Sequence, residues 1–138
     1  MVSDGMAQNH CRLPWLANMS KIKEIVQHIQ GVIVHGRKTI LYRTFHNVGK
    51  GANLQIHTML LSIENIRRSS LGHLPETFFI QIDGGSENIA RVNYFLAELM
   101  VARRLFKRVV VSRLMVGHTH CDVDADFGRI WIKIRVLL

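Results

Sequence analysis

Two stretches, IDGGSEN at Ile82 to Asn88 and GHTHCDVDADF at Gly117 to Phe127, each set acidic side chains just past an apolar run, and SDGM at Ser3 to Met6 adds a third acid. Together they supply Asp4, Asp83 and Asp122, well separated in the chain, the smallest set from which a protein gathers carboxylates around divalent cations. Two-metal phosphoryl transfer needs such acids from different elements. They hold Mg²⁺ or Mn²⁺ roughly 3.5 to 4 Å apart, so that one ion activates the attacking oxygen and the other stabilises the leaving oxygen. Asp83 is the strongest candidate, because Gly84 and Gly85 after it leave room for a metal and a phosphate to approach. The plainer reading of Asp83 is a turn aspartate before a helix. Asp122 and Asp126, four apart, share a helical face, so either suits a third ligand, whereas the plain reading is acids that stabilise a helix dipole. Asp4 stands where chain ends fray.

Other chemistries fit less well. His118, His120 and Cys121, with His10 and Cys11 from the other end, invite a zinc reading, but their spacing matches no recurrent zinc motif. Histidines so placed more often orient a neighbouring carboxylate, and that supporting role is the one expected of His118 and His120. Gly49, Lys50 and Gly51 precede a helix start without the spacing of a phosphate loop, and read as a turn. There is no GxSxG elbow and no dinucleotide fingerprint, so nucleophilic and nicotinamide enzymes lose ground.

The 138 residues suit one domain, and 18 Lys and Arg against 10 Asp and Glu give a formal charge of +8, a balance that favours a polyanion, nucleic acid and DNA first, as partner. Arg91, Arg103, Arg104, Lys107 and Arg108 are the candidate phosphate contacts, with Arg113 beyond them; the plain reading is a solvated face. Two cysteines and no secretory leader point to a reducing intracellular compartment, the nucleus included. The longest apolar stretch, Tyr94 to Phe106, is broken by Glu98, Arg103 and Arg104, so no membrane span is expected.

The elements that must position these acids follow from periodicity. Ser3 to Ser20 has no clear period and reads as irregular, with Pro14 inside it. Extended structure is predicted from about Val26 through Val34, then a turn at Gly36 to Lys38 and a second strand over Thr39 to Phe45, a hairpin. Asn53 is the expected cap of a helix whose apolar face is Ile56, Met59, Leu60, Ile63 and Ile66. Thr77 to Ile82 reads as a strand, and Ser86 caps a long helix with a stripe from Ile89 to Phe106. Arg108 to Val116 is again strand-like, followed by an acidic segment opening another helix. The order describes an α/β domain, and short connections favour parallel pairing of the last two strands, with Asp83 and the GHTH segment at adjacent carboxyl ends.

With these motifs in view, the sequence resembles a eukaryotic domain family associated with transposon-derived proteins. Its members carry an SDGM-type start, a GVxVHG segment, a Q(I/L)D…EN segment and a GHTHxDxD segment. In this chain they stand as SDGM at Ser3, GVIVHG at Gly31, QIDGGSEN at Gln81 and GHTHCDVD at Gly117. That family is similar to the RNase H-like catalytic cores of transposases and retroviral integrases. The resemblance implies a mixed sheet flanked by helices, a metal-binding triad of Asp4, Asp83 and Asp122 with Asp124 as substitute for the last, and Mg²⁺ or Mn²⁺ as cofactor. Glu87 and Asn88 close the third motif and are expected to support it. In that fold the first aspartate lies on the central strand, yet only three residues precede Asp4, so residues 1–138 are expected to form a partial domain with that strand essentially missing. A sheet without its middle strand leaves unpaired backbone on both neighbours. The resemblance also implies a helix running past Phe127, where Ile130, Ile132, Ile134 and Val136 alternate like a strand or an apolar tail.

The function expected from this sequence is metal-dependent phosphoryl transfer on nucleic acid by a nuclease or strand transferase core of mobile-element origin. The alternative is a catalytically inactive remnant that binds nucleic acid or a protein, with a zinc hydrolase third.

Overall fold

A computed structural model describes residues 1–6, 12–13, 25–45, 47–82, 87–113 and 122–137. The elements are β1 (Val2–Gly5), β2 (Arg12–Leu13), β3 (Ile25–Val34), β4 (Lys38–Phe45), α1 (Ala52–Ser69), β5 (Thr77–Ile82), α2 (Glu87–Ala102), β6 (Arg108–Arg113) and α3 (Asp122–Leu137). This is a mixed α/β fold. β4 pairs β3, β3 pairs β1, β1 pairs β5 and β5 pairs β6, which puts β1 in the middle of a five-strand run, and β2 adds two residues against Ile25 and Val26 of β3. The β1–β3 and β3–β4 pairs are antiparallel, whereas β1–β5 and β5–β6 are parallel.

Alternation along the strands sorts their side chains onto two faces. Met1, Val32, Phe78, Ile80 and Ile82 face α1 and α2, packing with Met59, Ile63, Ile66, Leu96, Met100 and Phe106. Val32 and Ile80 are wholly buried there. Their neighbours Val2 and Ile33, with Met6, turn to the other face and meet Phe127 of α3, with Ile29, Ile130 and Trp131 packed around them. The sheet is therefore covered by two helices on one face and one on the other.

The hairpin, the helix after it and β5 stand where the sequence pattern predicts them, with Gly36 at φ 73° in the tight connection and Arg37 N–H bonded to Val34 O at 2.9 Å. Several elements differ. The central strand expected to be missing is present in short form: β1 is only four residues long, but Met1 O accepts from Gln81 N–H at 2.9 Å and Met6 N–H donates to Ile29 O at 2.9 Å, so it bridges β3 and β5. Two residues of β2 also lie inside the segment expected to be irregular. The cap of α1 is Gly51, one residue before the helix, with no side-chain cap bond, so Asn53 sits inside the first turn. α2 ends at Ala102; Phe106 belongs to the following turn, buried and stacked on Phe78 at 4.5 Å. α3 runs to Leu137, which resolves the alternating isoleucines in favour of helix, because Phe127 and Ile130 find an apolar sheet face at helical spacing. β6 is described to Arg113, and the expected Ser86 cap and the strand continuation over 114–116 lie outside the described residues.

Candidate metal and phosphate site

The carboxyl-end rim of the sheet is where the sequence pattern predicts that the candidate acids meet. Asp4 is on β1, level with Gly31 of β3. It stands between Val2 and Met6, both of which pack with Phe127, so alternation puts it on the sheet face that α3 covers. Gly5 N–H donates to Asp4 Oδ1 at 2.7 Å, which fixes the carboxylate against its own strand. Ser3, one residue before, is buried on the opposite face, where its Oγ accepts from Gln30 Nε2 at 3.0 Å and ties β1 to β3 beside the acid.

Strand register relates the first acid to the second. β1 and β5 are parallel with Val2 beside Gln81; Asp4 lies two residues on from Val2, and Asp83 is two residues on from Gln81 in the chain. β6 continues this rim, with Arg113 level with Ile82. Asp83 itself, with His118 and His120, lies outside the described residues. Asp122 opens α3 with Asp124 in its first turn, and Glu87 and Asn88 open α2. Among the described residues no group of three His, Cys, Asp or Glu side chains stands ready for one ion, a set that leaves out the side chains of Asp83, Asp122 and Asp124. The zinc reading, built on His10, Cys11, His118, His120 and Cys121, falls wholly outside them.

Asp126, the other acid on the Asp122 face, is engaged elsewhere. Its Oδ2 accepts from Thr39 Oγ1 at 3.1 Å and its Oδ1 from Arg129 Nη1 at 3.1 Å, so both oxygens are turned to β4 and to its own helix. The side chain of Asp122, the other candidate on that face, lies outside the described residues.

A cavity of about 270 Å³ opens beside Asp4, lined also by Gly5, His28, Gln30, Lys50 and Gln55. Its far wall is the start of α1, where no acid occupies the first turn, so partial positive charge from the helix end lies along the cavity that Lys50 also lines. Sequence pattern alone makes Lys50 part of a turn. Its signal is the Gly-Lys-Gly run before a helix start, which becomes informative only once β1 is known to lie opposite.

The basic residues divide between two ends of the sheet. Arg91 lies in the first half of α2 and Arg113 ends β6, towards the rim of Asp4. Arg103 and Arg104 follow α2, and Lys107 and Arg108 lead into β6, level with Thr77, at the opposite end. Lys107 is ion-paired with Glu76. Six residues of strand separate the ends, about 20 Å.

A family model described as Domain of unknown function (DUF7869) matches residues 17–136. The chain belongs to this family. The DUF7869 match takes in β3 to α3, with Asp83 and Asp122 inside it and Asp4 ahead of it. No curated protein and no solved structure matches the chain. Among the described residues of this DUF7869 domain, no helix is long and apolar enough to cross a membrane.

Proposed function

We propose that the chain is a metal-dependent phosphoryl-transfer core acting on nucleic acid, DNA in the first instance, of the kind found in transposases and integrases. The observation that carries this reading is the register. Asp4 on the central strand and Asp83 in the chain after β5 are each two residues beyond the Val2–Gln81 pair, while Asp122 opens the helix that covers the same sheet face as Asp4. Mg²⁺ or Mn²⁺ held by Asp4, Asp83 and Asp122, with Asp124 as alternate, supplies charge neutralisation on the phosphate and an acidified water or hydroxyl. Asp4 does its part through a carboxylate fixed by the Gly5 amide. Lys50 and the open amides of the α1 start offer positive charge to a phosphate oxygen across the small cavity. Glu87, Asn88, His118 and His120 are proposed to orient these groups, and Arg91 and Arg113 to hold the strand near the rim.

A second reading has one observation in its favour: β1 meets β5 in a single register pair, a thin support for a catalytic carboxylate. On that reading the domain binds nucleic acid or a protein and catalyses nothing. Cleavage of end-labelled DNA in Mn²⁺ separates the two. The catalytic reading expects cleavage that falls about 100-fold or more in Asp83→Asn and in Asp4→Asn, with DNA affinity in Ca²⁺ retained. Cleavage that persists in both variants removes it, and binding without cleavage in the unaltered protein supports the second reading.

A further inference from the structure

α2 is apolar on the side it buries and on the side it shows to solvent. Its inner side, with Asn93, Leu96, Ala97 and Met100, is buried. At about 3.6 residues per turn, the line opposite runs through Arg91, Phe95, Glu98 and Ala102, all exposed, with Tyr94 and Val101 along one flank and Leu99 along the other. Phe95 is 66% exposed and Tyr94 47%, beside Leu99 at 41% and Val101 at 40%. A surface helix normally turns charged and polar residues to solvent, and one that is apolar all round is one that something covers. Arg91 and Glu98 are the charges on this outer side, and neither is ion-paired among the described residues.

The placement of those two charges selects the cover. Arg91 and Glu98 are two turns apart, about 10.5 Å along the helix, at equal distances from the midpoint between Tyr94 and Phe95. An antiparallel copy of the same helix, related by a twofold axis through that midpoint, sets Arg91 against the partner's Glu98 and Glu98 against the partner's Arg91, with Phe95 of both chains at the axis. A parallel copy would oppose like charges at both places, so the charges fix one direction. Ala102, on the same line, is too small to hold the helices apart, and their axes can approach to about 8 to 10 Å. Arg91 has five N–H donors; a fork onto the partner's Glu98 uses two and leaves others for the phosphate contact proposed above.

We propose that the protein forms a symmetric dimer in which α2 packs antiparallel on α2 of a second copy, with the twofold axis between Tyr94 and Phe95. The area available sets its strength. An aromatic side chain buries about 150 to 250 Å², so the exposed parts of Tyr94 and Phe95, with that of Leu99, amount to about 300 Å² per protomer, against about 800 Å² in an interface of standard size. The dimer is therefore a weak one, with a dissociation constant on the order of 10 μM. The aromatic centre supplies the attraction and the two ion pairs supply the direction and register.

Sedimentation equilibrium of the full chain, without metal or DNA, tests this. The unaltered protein is expected to pass from monomer to dimer between about 1 and 500 μM. Arg91→Glu and Glu98→Arg each turn two attractive contacts into two repulsive ones, and each is expected to weaken the dimer about 10-fold or more. The double variant Arg91→Glu, Glu98→Arg restores both pairs with their signs exchanged, and its dissociation constant is expected to return to within about 3-fold of the unaltered value. Phe95→Ser, at the axis, is expected to leave only monomer over the same range. These side chains are exposed in the monomer, so the circular dichroism of every variant is expected to match that of the unaltered protein. An unaltered protein that stays monomeric up to about 500 μM overturns the proposal. A dimer that the single reversals leave unchanged, or a double reversal no tighter than the single ones, overturns it as well, because the contact then lies elsewhere or in another register. Each of these outcomes is independent of the phosphoryl-transfer reading.

Discussion

Asp4, the carboxylate proposed for the site on β1, is held by the amide of the next residue. Its Oδ1 bond from Gly5 N–H survives replacement by asparagine, which keeps one acceptor oxygen while losing the charge. Asp4→Asn is therefore expected to melt within about 2 °C of the unaltered protein, roughly half of what 1 kcal/mol does to a domain of this size. A large drop in melting temperature would mean that the charge holds the fold, and loss of cleavage in that variant would then say nothing about metal. A second carboxylate answers to a different cause. Glu64 in α1 accepts from Arg67 Nε at 2.8 Å and from Arg68 Nε at 2.9 Å, and these bonds, that of Arg67 foremost, lower its pKa to about 2 from an ordinary 4.5. The folded pKa is depressed, so the stabilisation is complete above about pH 4.5 and is lost as pH falls towards 2. Because the cluster is exposed, the effect is small and salt-screened. Melting curves of Glu64→Gln and the unaltered protein are expected to differ at pH 6 and low salt and to converge near pH 2; a gap that widens on acidification would contradict this origin.

At the scale of elements, the two helices that flank the core end alike. Gly72 N–H reaches back to Arg67 O at 2.8 Å after α1, and Leu105 N–H to Met100 O at 3.0 Å after α2, the long bond that closes a helix when the residue before it turns left-handed. Glycine suits that residue, yet Leu71 stands there at φ 52° and Arg104 at φ 57°. Leu71 is also 93% exposed, so its side chain gains nothing from packing. Leu71→Gly is expected to stabilise the protein by about 1 kcal/mol, measured by urea unfolding, since relief of left-handed strain outweighs the added freedom of the unfolded chain. A loss of stability would mean that Leu71 has a partner in solution. These turns are hard to read in the sequence because the left-handed position itself carries leucine or arginine, with Gly72 one residue later after α1 and no glycine in the turn after α2. The same limit explains which parts of the fold are legible. β3, β4, α1, β5 and α2 announce themselves by runs of β-branched residues or a clear apolar face. β1 does not, because four residues of VSDG have no period, and only the two strands on either side make them a strand. α3 misleads in the opposite sense, since Ile130, Ile132, Ile134 and Val136 fit either alternation or the sides of a helix, and the sheet face under Phe127 decides. For the site, the spacing of acids after apolar runs is readable, but the shared cavity of Asp4 and Lys50 depends on contacts between segments far apart in the chain.

For the whole molecule, the charge of +8 is unevenly useful. Arg103 and Arg104 form an exposed pair at the end of the sheet remote from Asp4, by about 20 Å. A duplex engaging the rim extends well beyond that distance, so these arginines suit a backbone contact that adds affinity without touching the reacting phosphate. Binding and turnover should then separate. In the double variant Arg103→Gln, Arg104→Gln, DNA affinity is expected to fall and the slope of log K against log salt to become shallower by about 2, close to the loss of two phosphate contacts. The cleavage rate at saturating DNA is expected to stay unchanged, because both residues lie too far from the carboxylates to act on the transition state. Lys107→Gln is the internal comparison, since its ammonium is already ion-paired with Glu76 and its removal should alter the salt slope less. If the double variant leaves the slope unchanged, the nucleic acid runs along the rim of Arg91 and Arg113 alone, and the remote arginines are an ordinary solvated surface.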